Sequence, residues 1–173
     1  EKQILVSEYP EAAKYIRKFK GSSEFINDSE RYCIWVSDSQ LADAASVEGL
    51  RKRFEIVQEE RANSSDKGQQ KIAHRSHQFR EFNETTTSSI VVPVVSSERR
   101  EYIPSGFVGP DTIIPNSAQA IYDAEPYLLG IIMSKMHMTW VKLLAGRLRS
   151  DIRYSSSICY NTFPFPRISK EKK

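Results

Sequence analysis

Between Met133 and Pro166 the chain reads MSKMHMTWVKLLAGRLRSDIRYSSSICYNTFPFP, and no other stretch limits the fold so tightly. Leu129, Ile132, Met133, Met136, Trp140, Leu143 and Leu144 recur every three or four positions. That rhythm predicts one amphipathic helix over 125–145 with a wide apolar stripe. Gly146 stands where a helix C′ glycine is expected. Beyond it, Ile152, Tyr154, Ser156, Ile158 and Tyr160 alternate with Asp151, Arg153, Ser155, Ser157 and Cys159. A period of two predicts an extended segment. Phe163-Pro164-Phe165-Pro166 then fits neither a helix nor a central strand. The chain must bury a helix and, directly after it, present a short polar strip.

The chain before this stretch alternates between helical and extended signals. Tyr9, Ala12, Ala13, Ile16 and Phe19 predict a helix over 8–20, with Pro10 in its first turn and Gly21 as its stop. The segment 25–30 is rich in turn residues, and 31–36 (RYCIWV) reads as a strand. A second helix is expected from Asp38 or Ser39, interrupted at Gly49. It has Val47, Leu50, Phe54 and Val57 on one face and a charged, solvated opposite face. Residues 63–70 read as a polar loop, and 72–82 is short and ambiguous. Ser89–Ser96 predicts a strand that Pro93 confines to an edge or a bulge. Short strands follow at 102–104 and 107–108 around Ser105-Gly106, then at 113–114 and 118–122. Many short strands with a few helices imply an α+β domain with a mixed or antiparallel sheet. Residues 1–20 read as a helix or linker from a preceding domain, 21–166 as the domain itself, and 167–173 as the start of a further segment. The charged opening Glu1-Lys2-Gln3 reads as a piece of a longer chain rather than a signal peptide.

Charge and chemistry narrow the function. The formal net charge is +3, but residues 131–173 carry nine Lys or Arg against two acids, whereas the first 130 residues carry sixteen against twenty. A basic block on an acidic body is suited to phosphate. In an extended chain Arg149, Asp151 and Arg153 share a face while Ile152 and Tyr154 anchor the other. A guanidinium pairs bidentately with guanine O6 and N7, and an Asp accepts from cytosine N4. Spacing alone leaves open whether this strip reads bases or forms a surface ion pair. His74 and His77 lie three apart, without the further ligands a zinc site requires, so no metal is expected. No run of apolar residues is long enough for a membrane span. Cys33 and Cys159 read as packed free thiols in a reducing, cytoplasmic setting. No phosphate-binding Gly loop, nucleophile elbow or paired zinc histidines are present, and Glu98 with Glu101 is too sparse for a nuclease centre. The chain therefore reads as lacking catalytic machinery of its own. Besides nucleic-acid recognition, two alternatives remain: a protein-docking module with a basic strip, and a nuclease fragment.

Several ordered motifs resemble one family. They are Phe25-Ile26-Asn27 with Ser29–Trp35; Ile90–Pro93 with Ser96–Pro104; Met133–Trp140; Gly146-Arg147-Leu148; Asp151–Ser155; and Tyr160–Pro166. Together they look like the target-recognition domain of MmeI-like enzymes, single-chain restriction–modification proteins joining a nuclease, an adenine methyltransferase and a specificity domain. Asn-Thr-Phe-Pro also resembles the end of specificity domains in type I subunits. The resemblance implies a specificity-domain fold that binds double-stranded DNA through the major groove. It positions a target adenine for a methyltransferase domain outside this chain. It also implies S-adenosylmethionine and Mg2+ for the parent, none in this fragment, and contacts with the parent's methyltransferase and helical domains. Base readout falls on the positions matching Arg149, Asp151 and Arg153, with Ser117 carried over by approximate spacing. Phosphate contacts are expected from Lys135, Lys142, Arg147, Arg99 and Arg100, assisted by Ser96 and Ser97.

Overall fold

The computed structural model describes residues 1–167 and 169; the rest of the expected 167–173 segment lies outside the described residues. Two compact units emerge. One joins Glu1–Lys18 to Tyr32–Asn83, and the other joins Phe19–Arg31 to the chain from Glu84 onward.

The first unit opens with α1 (Lys2–Glu8). The helix expected over 8–20 does not form. Pro10 cannot continue an α-helical ladder and disfavours the α region at the residue before it. Tyr9 accordingly adopts φ −133°, ψ 82°. A 3-10 turn spans Pro10–Tyr15, and β1 (Ile16–Phe19) follows. Past β1, in the second unit, α2 (Ser22–Ile26) begins where the Glu24 carboxylate accepts the Gly21 N–H at 3.0 Å. It occupies part of a segment whose composition reads as turns. β2 (Tyr32–Ile34) returns antiparallel to β1, with Ile16 opposite Ile34 and Lys18 opposite Tyr32.

The next helix breaks elsewhere than expected. After a 3-10 turn at Asp38–Gln40, α3 (Leu41–Ser46) stops at Val47 (φ −82°, ψ 110°), and α4 (Glu48–Ala62) starts afresh. Gly49 lies inside α4's first turn. A Cβ there would fall 2.6 Å from the Tyr9 ring, so the glycine serves close approach rather than a break. α4 buries Leu50 and Phe54 among Leu5, Ala12, Tyr15, Val36, Ala44 and Val47. Its outer face carries the exposed i,i+4 pairs Glu48–Lys52 (2.7 Å) and Arg51–Glu55 (2.6 Å), which solvent screens. α5 (Lys67–Lys71) forms within the expected loop because Asp66 accepts the Gly68 N–H at 2.7 Å. The Arg61 guanidinium then gathers the carbonyls of Ile72, Arg75 and Gln78 (3.3, 2.8 and 2.8 Å), which holds the ambiguous 72–82 stretch in place.

The second unit contains two three-stranded antiparallel sheets. In the first, β3 (Ser89–Pro93) is the middle strand between β5 (Gly106–Val108) and β7 (Ala118–Ile121). The edge position expected for it therefore holds only locally. β5 pairs with residues 89–91 alone, so Pro93 sits where β3 has β7 on one side and no ladder on the other. After Val94 the chain enters β4 (Val95–Ser96) in the second sheet. Val94 marks the crossing, because its carbonyl accepts the Tyr154 N–H at 2.7 Å and its N–H donates to Ser22 Oγ at 3.0 Å. The strand expected at 102–104 is absent: Pro104 has no N–H for a ladder, and Ile103 is instead a fully buried plug. β6 (Thr112–Ile113) forms near its expected place.

The single helix expected over 125–145 is two. α6 (Pro126–Ile132) and α7 (Lys135–Leu144) are separated because Ser134 Oγ accepts the His137 N–H at 3.1 Å, an N-cap inside the apolar rhythm. α7 ends at Ala145 in an extended conformation (φ −65°, ψ 143°), and Gly146 begins β8 (Gly146–Leu148). Gly146 is therefore not a left-handed cap; no glycine among the described residues has a positive φ. β9 (Asp151–Arg153) follows, and a π-helical turn at Ser156–Tyr160 ends the extended segment early. That turn reverses the expected alternation: Cys159 is buried and Ile158 exposed. Cys33 and Cys159 are free thiols.

The core of this unit gathers Ile90, Val92, Ile103, Ile132, Met138, Val141, Ile152, Tyr154 and Cys159. Within it the Nε2 of the fully buried His137 lies 3.1 Å from Tyr154 Oη, and its ring meets Phe163 edge-on at 4.6 Å. Burial pushes the phenol's pKa up and the imidazole's down to about 4. A folded state that refuses a proton the unfolded chain accepts near pH 6.5 loses stability as pH falls from about 6.5 towards 4. The contribution is roughly 3 kcal/mol. Unfolding free energies from urea titrations across that window should fall less steeply with pH for His137→Gln than for the natural sequence, the slopes differing by up to about 1.4 kcal/mol per pH unit, the effect of one proton.

Candidate nucleic-acid interface

The polar strip is a β-hairpin. β9 lies between β4 and β8, with Ser96 opposite Ile152, Arg147 opposite Ile152, and Leu148 opposite Asp151. Side chains directly opposite in an antiparallel ladder point to the same face. One face therefore holds Ile152, Ser96 and Arg147; it is sealed in the core at Ile152 and Ser96, while Arg147, on the outer strand, stays exposed. The other presents Asp151, Arg153 and Leu148, of which Arg153 and Leu148 are exposed. Ile152 and Tyr154 are the buried anchors expected of this segment.

Arg149 departs from the expected alternation. Residues 149–150 form the two-residue turn of the hairpin, and Arg149 adopts φ 58°. It sits exposed at the tip instead of on the Asp151–Arg153 face. Such a turn requires a left-handed residue, usually Gly or Asn; a side chain with a Cβ is strained there by roughly 1–2 kcal/mol. Composition and spacing carry no signal for this.

Charged neighbours converge on the same end of the sheet. β4 runs towards the hairpin tip, and the turn following it brings Glu98 to 3.8 Å from the Arg147 guanidinium. Arg147 also donates to the Ser150 carbonyl at 3.4 Å. Glu98, which read as too isolated for a nuclease centre, thus meets a basic residue of the hairpin. Arg99 and Arg100 are exposed in this turn. It is shaped by Ser97, whose hydroxyl accepts the Arg99 N–H at 3.3 Å and whose carbonyl accepts the Arg100 N–H at 3.1 Å. Lys135, 3.6 Å from Glu101, and Lys142 are both exposed; seven residues apart, they share a face of α7.

Two expected residues stand apart. Ser96 is buried beside Ile152, and its hydroxyl has no hydrogen-bond partner among the described residues. The strand parity that sends Ile152 inward sends Ser96 with it, so its expected phosphate contact is corrected. Ser117 lies in the turn before β7, where its carbonyl accepts from Ser22 Oγ, away from the hairpin in the ladder. His77 is buried in the first unit, its Nε2 2.8 Å from Asp38 Oδ1. Among the described residues no group of three or more His, Cys, Asp or Glu is placed to hold a metal ion. No helix among them is long and apolar enough to cross a membrane.

Comparison with known proteins matches these features to one family. Residues 1–167 match the family model described as "MmeI, target recognition domain". The chain is 51% identical over 168 residues to DNA methyltransferase A of Bacillus subtilis (strain 168), covering 97% of this chain and 19% of that protein. It is also similar to the solved structure of the Type IIL restriction-modification enzyme MmeI in complex with DNA. The identity there is 35% and the TM-score 0.92, over 98% of this chain and 23% of that one. The chain thus spans about a fifth of the length of these relatives.

The strained tip has a measurable signature. Arg149→Gly should raise the unfolding free energy of this chain by roughly 1 kcal/mol in urea titrations, whereas Arg149→Ala, which keeps a Cβ at φ 58°, should not.

Proposed function

The chain belongs to the family of MmeI target recognition domains, and we propose that its β8–β9 hairpin reads a short duplex site for a parent restriction–modification protein. It is a DNA-recognition domain. The observation that carries the proposed reading mode is the hairpin, which sets Arg149 at its tip and Asp151 with Arg153 on one outward face, over a sealed Ile152. A two-stranded ribbon fits the major groove, where every base pair offers a distinct set of donors and acceptors. Arg153 and Arg149 are suited to guanine, and Asp151 to a base amino group.

Phosphate contacts surround this reader in the proposal. Arg99, Arg100 and Arg147 lie at the tip end of the sheet, and Lys135 with Lys142 form a separate basic row on α7. They set affinity and register without selecting sequence. Ser97 acts by shaping the Arg99–Arg100 turn, and Ser117 stays a peripheral candidate. In the parent, a methyltransferase domain outside this chain uses S-adenosylmethionine on a flipped adenine, and Mg2+ serves a nuclease domain. The Bacillus subtilis relative is named a DNA methyltransferase, which supports a methyltransferase domain in the parent.

The test maps methylated adenines in genomic DNA exposed to the parent protein. Arg153→Ala should cost about 1–3 kcal/mol at one base pair and relax choice there; a uniform loss across all site variants contradicts the assignment. Lys142→Ala should weaken binding evenly and reduce the salt slope by about one. An unchanged slope removes Lys142 from the footprint.

A further inference from the structure

Leu148 is a large apolar side chain left 52% exposed between two arginines, on the outer strand of the hairpin. A lone exposed leucine is ordinary; its neighbours make this one informative. The ladder sets Leu148 directly opposite Asp151 on the outward face, with side chains about 5 Å apart. The next pair along that face is Gly146 opposite Arg153. Gly146 has no side chain, and nothing lies within 4 Å of where its Cβ would stand. The face beside Leu148 is therefore an open notch, bordered by one apolar group, one acceptor and one guanidinium.

We propose that Leu148 is a specificity residue: it packs on the C5 methyl of a thymine while the adjacent Asp151 accepts from the N6 amino group of the paired adenine. This rests on the reading of the hairpin as the base-reading element. On the major-groove edge of an A·T pair the thymine methyl and the adenine amino donor flank the thymine O4. Leu148 and Asp151, opposite each other about 5 Å apart, offer an apolar surface and an acceptor at a spacing that spans that oxygen. A cytosine N4 amino group would also satisfy Asp151, but it would leave Leu148 against a bare C5–H. The apolar partner is what favours thymine.

The experiment uses the full-length parent and duplexes carrying its mapped site. Each thymine in turn is replaced by uracil, which removes the methyl group and keeps every Watson–Crick bond. The natural protein should lose about three- to five-fold in binding at one thymine, the effect of one methyl group leaving an apolar contact. Leu148→Ala should show no loss at that position, and Leu148→Met should retain it. The sensitive thymine should belong to the pair at which Asp151→Ala relaxes base choice. Indifference to uracil at every position overturns the proposal, as does equal sensitivity in Leu148→Ala, or a sensitive thymine at a pair Asp151 does not govern. A parent that prefers no sequence at all would be the failure of the recognition reading instead.

Discussion

Burial of Ile152 governs the second unit. This residue is wholly enclosed by the core formed by Ile90, Val92, Ile132, Met138 and Val141, and β9 has a neighbour on each side. Side chains alternate along a strand, so enclosing Ile152 drives Asp151 and Arg153 to the opposite face. A slip of one residue would put an aspartate or an arginine among the apolar side chains of the core, at several kcal/mol for each ion, and expose the isoleucine. The register that seals the core is the same one that displays the charges. Core and candidate reading face cannot vary independently.

The support around β9 is stiff. Val94 ties Tyr154 to α2 through its two backbone bonds, and the Tyr154 hydroxyl is tied to His137 on α7. The His137 backbone is itself held by the Ser134 cap. Three elements distant in sequence thus converge on the strand and its immediate exit. Exposed groups on such a base are presented in a fixed geometry, which is what discrimination between base edges requires. The strained φ at Arg149 belongs to the same picture: the ladder on both sides of the turn over-determines a conformation that the residue alone would avoid.

Much of the fold follows from local periodicity, and the departures have local causes. The strands at 32–34, 89–93 and 118–121 and the helix at 48–62 form near where their patterns place them. The long helix over 125–145 was unreadable as two because Ser134 interrupts without disturbing the apolar spacing; a hydrogen bond to His137 makes the break, and hydropathy cannot register it. Residues 8–20 misled for the opposite reason. Their spacing is helical, but Pro10 and the pairing of Ile16–Lys18 with Tyr32–Ile34 override it. At the site, Asp151 and Arg153 were legible because they lie within regular alternation. Arg149 was legible as a charge but not in its direction, since a turn reverses the parity on which that expectation depended. Ser96 failed because its face is set by pairing with Ile152, a partner 56 positions away.

The sequence by itself determined the class of fold, the basic block after residue 131, the alternation that sends Ile152 and Tyr154 inward, and the motifs that carry the family resemblance. These are properties of neighbours along the chain, governed by side-chain period and charge. Only the tertiary structure decided that Arg149 stands at a left-handed tip, that Leu148 faces outward beside Asp151, that Ser96 is enclosed, and that Glu98 meets Arg147. Each of these depends on which strands pair and in what register. That choice is made by burying one continuous core across segments far apart in sequence, and no local pattern contains it.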